Sequence, residues 1–286
     1  MLGRDLHIAF SVDDAYLPGM VVSANSVRAS LRDPGTRITF HVIDGGLSPA
    51  GRDHAREDLG DLGHVELYDV PDLVSSPYRR KYITTPAQGR LHLGSVIPTE
   101  VSRMVYLDAD TLVLEDLTQL SRTDLAAGGL GAVSYEWSPH RSVVLAETAT
   151  ERQHGAAPPG YFNSGVLVID MDVWRAAETT RRAVHLFRRY RSALHSADQD
   201  ILNVLYAGRW TSLPARWNRL ISAPDSGHFG ADRLDFLTRR EGIVHYVGAI
   251  KPWMSAFPGL AIVALGGAVS LLGDGLADLL NPARKR

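Results

Sequence analysis

Four apolar residues that run straight into two carboxylates set the frame for this chain. Met104, Val105, Tyr106 and Leu107 are buried-type residues, and Asp108, Ala109 and Asp110 follow without a gap. Such a run reads as a buried strand arriving at its carboxyl end. Side chains alternate between faces in extended chain, so Asp108 and Asp110 are expected to point the same way. Two oxygen donors aimed at one point suit a hard divalent cation. Open α/β sheets also bind their ligands outside the carboxyl ends of the strands. An Asp-x-Asp triplet on its own is most often a solvated loop or cap, so the weight falls on what else the chain carries.

The flanking pattern supplies a sheet. Residues 6–12 are an apolar-rich run ending in Asp13 and Asp14, and residues 21–31 carry apolar positions at helical spacing until Asp33, Pro34 and Gly35 stop them. Residues 37–43 and 64–68 read as further strands, with a weakly helical stretch at 50–59 between them. A helix at 91–97 precedes the strand that bears the aspartates. Strands alternating with helices predict βαβ units, and hence a Rossmann-like α/β domain with a mostly parallel sheet and helices on both faces. In the second half, residues 130–135 and 165–169 read as strands, 173–194 as a basic amphipathic helix, and 198–206 as a shorter helix. Residues 137–160 are polar and Pro-rich without periodicity, the kind of long loop that is usually a functional lid or disordered.

Composition removes several function classes. A net charge of −2 gives no basic field for nucleic acid. The absence of cysteine removes disulfides, thiolate metal sites and thiol nucleophiles. The first ten residues run into a strand pattern with no long apolar stretch, so no secretory signal is expected and a cytoplasmic location is. Neither a Gly-x-Gly-x-x-Gly nor a Walker loop is present, which argues against dinucleotide and P-loop chemistry.

Four polar clusters remain. They are Ser11 with Asp13 and Asp14; Arg90 with Asp108 and Asp110; Asn163-Ser164-Gly165 followed by Asp198-Gln199-Asp200; and His245, Gly248 and Lys251 in the segment ending at Trp253. His245 follows Ile243 and Val244 as though at a strand end, where a neutral imidazole could complete a site begun by two carboxylates. Mixed oxygen and nitrogen ligation suits Mn²⁺ better than Mg²⁺. Gly248 lets backbone approach a ligand closely. Lys251, conspicuous because the other lysines are only Lys81 and Lys285, supplies a point charge for a phosphate. Each cluster has an ordinary structural reading as well. Asp13, Asp14 and Asp198 could be helix caps, His245 a core histidine, Arg90 and Lys251 solvated cations, and Asn163 to Gly165 a plain turn.

Together and in this order, the clusters strongly resemble the retaining family 8 glycosyltransferases, which include glycogenin and the bacterial lipopolysaccharide galactosyl- and glucosyltransferases. The matching stretches are 8–14, 90–91, 105–111, 162–166, 198–203 and 245–253. The resemblance implies a GT-A fold over residues 1–255, with a UDP-sugar as donor substrate and Mn²⁺ as cofactor, Mg²⁺ being a substitute. It implies that Ser11 and Asp13 meet the uracil and ribose, with Asp14 beside them, and that Arg90 faces the donor sugar and diphosphate. Asp108, Asp110 and His245 would hold the metal, with Ala109 also on the donor, and Gly248 and Lys251 on the diphosphate. Asn163, Asp198 and Gln199 would surround the donor sugar. Asp198, Gln199 and Asp200 form the catalytic group, with Asp200 or the Gln199 oxygen the candidates for the far face of the anomeric carbon.

Two places depart from the family pattern. Gln88 and Gly89 precede Arg90 where a bulkier aromatic residue is expected. Residues 256–286 form an apolar, Gly-containing segment with a basic end, read as a helix packed on the domain or on a partner copy, or as a peripheral contact with the inner face of the membrane. Loops 137–160 and 221–236 are expected to grip the acceptor, a glycan, glycolipid or small metabolite. A nucleotidyltransferase and a catalytically silent sugar-nucleotide binder are the rival readings. The first lacks its Gly-rich basic loop at residues 11–19, and the second is disfavoured by intact Asp108, Asp110, His245, Asp198 and Lys251.

Overall fold

Seven strands in the order β3-β2-β1-β4-β7-β6-β8 build the main sheet of the structure, a computed structural model. The structure describes residues 5–70, 88–135, 160–190, 194, 196–222, 239–248 and 251–253. The strands are β1 (Asp5–Val12), β2 (Arg37–Asp44), β3 (His64–Asp69), β4 (Arg103–Leu107), β6 (Leu130–Ser134), β7 (Phe162–Asp170) and β8 (Thr211–Leu213). β7 alone runs against the others, pairing antiparallel with β4 and with β6. That reversal lays the amino end of β7, with Asn163 to Gly165, beside the carboxyl end of β4.

Alternation along the strands divides the core. Ile8, Phe10, Val105, Leu107, Val166 and Val168 pack on one face, and Ala9, Met104, Tyr106, Leu167 and Ile169 on the other. The first face is covered by α1 (Leu17–Ser30) and α2 (Pro49–Gly60). The second is covered by α3 (Leu93–Val96), α5 (Met171–Ala176), α6 (Thr179–Tyr190) and α7 (Ala197–Leu205). The short α4 (Leu117–Ser121) packs on the first face. A sheet buried on both sides explains why its central strands read as continuous apolar runs.

A second, three-stranded sheet is where the sequence was least legible. β5 (Thr111–Val113) pairs antiparallel with β10 (Ile243–Val247), which pairs parallel with β9 (Arg219–Ser222). The aspartates therefore do not lie in extended chain. They occupy the turn between β4 and β5, where the path crosses from the large sheet to the small one. His245 sits in the middle of β10, opposite Thr111, rather than at a strand end.

Two helices also differ from their sequence pattern. Pro18 and Gly19 look like breakers, yet α1 begins at Leu17. Proline is tolerated in a first turn, and a Cβ on Gly19 would lie 2.4 Å from the Trp253 ring and 2.6 Å from the Ala109 carbonyl. The helix expected over 173–194 is two helices, α5 and α6, broken at Glu178, whose φ of 50° is left-handed. Among the described residues no helix is long and apolar enough to cross a membrane. The apolar segment 256–286 and most of both acceptor loops lie outside the described residues.

Candidate active site

The Asp108 turn is stapled from both sheets. The Asp108 N–H donates to the Gly165 carbonyl at 2.7 Å, and the Tyr246 N–H to the Asp110 carbonyl at 2.9 Å. The Thr111 hydroxyl closes the turn on the Asp108 carbonyl at 2.8 Å. The two carboxylates consequently meet the β10 imidazole: His245 Nε2 is 3.2 Å from Asp110 Oδ1 and 3.5 Å from Asp108 Oδ2. One ligand atom from each of the three residues lies within 4.8 Å of the others. The clearance exists because residue 165 is glycine, since a Cβ there would stand 2.2 Å from His245 Cε1 and 2.7 Å from Asp108 Oδ2.

Two buried cations face this group. Lys251 Nζ donates to Asp110 Oδ2 at 2.5 Å and to the Tyr246 carbonyl at 2.9 Å. Burial alone would push the Asp110 carboxyl up, but His245 and Lys251 together pull it below the usual carboxylate range. Arg90, on a 3₁₀ turn at Arg90–His92, spans the other side. Its guanidinium pairs with Asp108 Oδ1 at 2.7 Å and Asp198 Oδ2 at 2.8 Å and donates to the Ser164 carbonyl at 2.6 Å. It lies over the Tyr106 ring at 4.6 Å, and the Tyr106 hydroxyl donates to Asp108 Oδ1 at 3.1 Å. Burial opposes the guanidinium charge, yet Asp108 and Asp198 raise its pKa above the ordinary arginine value. Burial lifts Asp198 to about 6 in spite of Arg90's attraction.

Asp198, Gln199 and Asp200 occupy the first turn of α7 with different surroundings. The Gln199 oxygen accepts from Asn163 Nδ2 and the Ser164 N–H, both at 3.1 Å. Asp200 is 0% exposed; its Oδ1 accepts from the Tyr161 hydroxyl at 2.6 Å and its Oδ2 from the Ser196 N–H at 3.0 Å.

At the end of β1, the Ser11 hydroxyl is buried with no hydrogen-bond partner among the described residues, a polar atom that a ligand would satisfy. At position 89 a side chain would be crowded: a Cβ there would lie 2.0 Å from Ser11 Oγ and 2.8 Å from Ile43, so glycine lets the Arg90 turn approach β1. Asp13 is half-buried and accepts from the Tyr16 N–H at 3.1 Å within the turn that leads into α1, whose N-cap is Tyr16 with no side-chain capping bond among the described residues, so Asp13 is not the cap its position suggested. Asp14 is exposed and turned toward the start of α2, accepting from the Ser48 N–H at 3.0 Å. Ala109 is buried beneath Gly19. Gly248 is exposed with φ +96°, a conformation that favours glycine.

Arg90, Asp108, Asp110, Asn163, Asp198, Gln199, His245 and Lys251 thus form one hydrogen-bonded body, with Ser11 beside it across Gly89; Asp14 faces α2 instead. Sequence reasoning did not single out Tyr106, Tyr161 or Asn218: the polar contacts of Tyr161 and Asn218 join segments far apart in the chain, and Tyr106, whose hydroxyl reaches Asp108 two residues on, reads as one more apolar residue of the strand. The three ligands fit a divalent cation: two carboxylate oxygens and an imidazole nitrogen converge, with glycine clearance behind them.

The sequence pattern of glycosyl transferase family 8 matches residues 7–256. General stress protein A of Bacillus subtilis (strain 168) is 29% identical over 265 residues, covering 87% of this chain and 88% of its own length. Lipopolysaccharide 1,2-glucosyltransferase of Escherichia coli (strain K12) is 26% identical over 258 residues, covering 87% and 72%. A crystal structure of the galactosyltransferase LgtC in complex with donor and acceptor sugar analogs superposes with a TM-score of 0.70 at 30% identity, over 93% of this chain and 95% of that one. The architecture is the GT-A fold.

Proposed function

This chain belongs to glycosyl transferase family 8, and on that premise we propose that it moves a hexose, glucose or galactose, from a UDP-sugar to an acceptor hydroxyl with retention at the anomeric carbon and dependence on Mn²⁺. The observation that carries the reading is the convergence of Asp108, Asp110 and His245 beneath two buried cations. A bound divalent ion would stabilise negative charge on the departing diphosphate without proton transfer. Lys251 has three N–H donors, of which two are committed, so the third can meet a phosphate oxygen. In so buried a position that contact is worth more than in water. Gly248 brings backbone to the diphosphate, and Ser11 and Asp13 hold the nucleoside. Arg90 keeps Asp198 aligned to accept from donor-sugar hydroxyls.

For the transfer itself we favour attack from the face that UDP leaves. The acceptor oxygen bonds the anomeric carbon as the bond to phosphate breaks. The electron pair stays on the phosphate oxygen, and the acceptor proton passes to that oxygen. Asp200 is sealed and already holds two donors, so its chemistry is that of a support for Tyr161 and Gln199 rather than a nucleophile. Asp200→Asn is therefore expected to lose about tenfold in rate, one hydrogen bond's worth, and the wild-type protein incubated with donor to show no glycosyl adduct by intact-mass analysis. A glycosyl adduct on Asp200 of the wild type, together with a loss of many thousandfold in the variant, would establish double displacement through Asp200.

The function is tested by incubating the protein with UDP-glucose or UDP-galactose and following UDP release with Mn²⁺ and with chelator. Release that needs the metal is the expected result. Turnover of other nucleotides with pyrophosphate exchange would favour the nucleotidyltransferase.

A further inference from the structure

We propose that Asn218 is a positioning residue that fixes the tautomer of His245 and ties the metal cluster to the donor-sugar wall; the inference rests on the metal reading above. Asn218 ends the 3₁₀ turn Ala215–Asn218 and is 4% exposed. Its Nδ2 donates to Asn163 Oδ1 at 2.8 Å, and its Oδ1 meets His245 Nδ1 at 2.9 Å.

The direction of every bond in this chain follows from two backbone donors whose polarity is fixed. The Gly165 N–H donates to Asn163 Oδ1 at 2.9 Å, which makes that end of Asn163 the oxygen. Asn218 must then present its NH₂ to Asn163 and its oxygen to His245. The imidazole is left one role at that nitrogen, donor, so the neutral ring carries its proton on Nδ1 and turns an Nε2 lone pair toward Asp108 and Asp110. On the other side, the Ser164 N–H fixes the Gln199 oxygen, which accepts from Asn163 Nδ2, and the Gln199 NH₂ donates to the Tyr161 hydroxyl at 3.0 Å. One unbroken relay thus runs from the Asp200 carboxylate to His245 Nδ1, the ring nitrogen opposite the one that faces the carboxylates. Without it, the carboxylates beside Nε2 would draw the proton to that nitrogen and block ligation. A partner on the far ring nitrogen that sets the metal-facing lone pair is a common device in metal sites.

The test is ¹⁵N NMR of the histidine rings in the metal-free protein near pH 8, with Mn²⁺ affinity from the EPR signal of free ion. Wild-type His245 is expected to show Nδ1 protonated and Nε2 bare. Asn218→Leu should move the proton toward Nε2 and weaken Mn²⁺ binding about 10- to 100-fold. Asn218→Asp separates the two halves. A carboxylate still accepts from Nδ1, so tautomer and metal affinity hold, but it cannot donate to Asn163, so KM for the UDP-sugar rises. A purely packing role would move both readouts together. Wild-type protein with the proton on Nε2, or Asn218→Leu with unchanged tautomer and affinity, would overturn the proposal. The Nδ1–H tautomer without Mn²⁺ binding in the wild type would support the relay and strike the metal reading.

Discussion

Asp110→Ala should lower sugar transfer by about a thousandfold or more, the consequence of losing several kcal/mol of charge stabilisation at the leaving group. Asp110 is the hinge of the site, because one oxygen faces the His245 nitrogen and the other holds the Lys251 ammonium. Removing it deletes one of the three candidate ligands and leaves a buried lysine with only the Tyr246 carbonyl among the described residues. Asp110→Asn keeps the volume and the link to the Tyr246 backbone, so it should fold as the wild type while sharing most of the loss. Steady-state rates across a Mn²⁺ titration check this. Recovery of the wild-type rate at high Mn²⁺ would assign Asp110 to affinity alone, and an unchanged rate at all concentrations would remove it from the site.

Arg90→Met should produce the largest loss of stability. The guanidinium is 5% exposed and compensates two carboxylates, Asp108 and Asp198, at 2.7 and 2.8 Å. Taking one partner from a buried ion pair costs about 3–5 kcal/mol, because the remaining charge keeps its desolvation penalty. The pH dependence has a definite sign. Asp198 in the wild type already sits at about 6, lifted by burial against the pull of Arg90, and without Arg90 it goes higher. A carboxyl whose folded pKa is raised favours the folded state at low pH and loses that advantage as pH rises through the folded value. The variant's deficit should therefore be full near pH 8 and shrink toward pH 5, where Asp198 takes up a proton. Urea denaturation at the two pH values reads it. An equal deficit at both would mean that Asp198 is not the carboxylate left exposed to the change.

The residues of the site were more legible than the reason they meet. Asp108 and Asp110 were expected to converge through strand alternation, whereas a turn held by Gly165 on one side and Tyr246 on the other brings them together. That turn depends on β10, a partner more than 130 positions away, which no local window contains. β5 and β8 have three residues each, too short for a period of two to declare itself. The break at Glu178 was invisible for a different reason: glutamate carries no signal for the left-handed region, so a continuous amphipathic pattern concealed two helices. Gly89 and Gly165 show the converse. Their conformational freedom is incidental, and what counts is the atom that a Cβ would strike. Asn218 gave no sequence sign, because a polar residue after a tryptophan in a short turn is unremarkable until its two partners, Asn163 and His245, are seen.

Calorimetric titration of UDP into the folded protein, first with Mn²⁺ and then with chelator, tests the central claim most directly. Binding that appears with the metal and vanishes with chelator is the predicted result, and it would tie Asp108, Asp110 and His245 to the diphosphate through one ion. UDP binding of equal strength in both conditions would contradict the metal role of that cluster. No binding in either, from a sample that melts cooperatively, would contradict the nucleotide assignment itself.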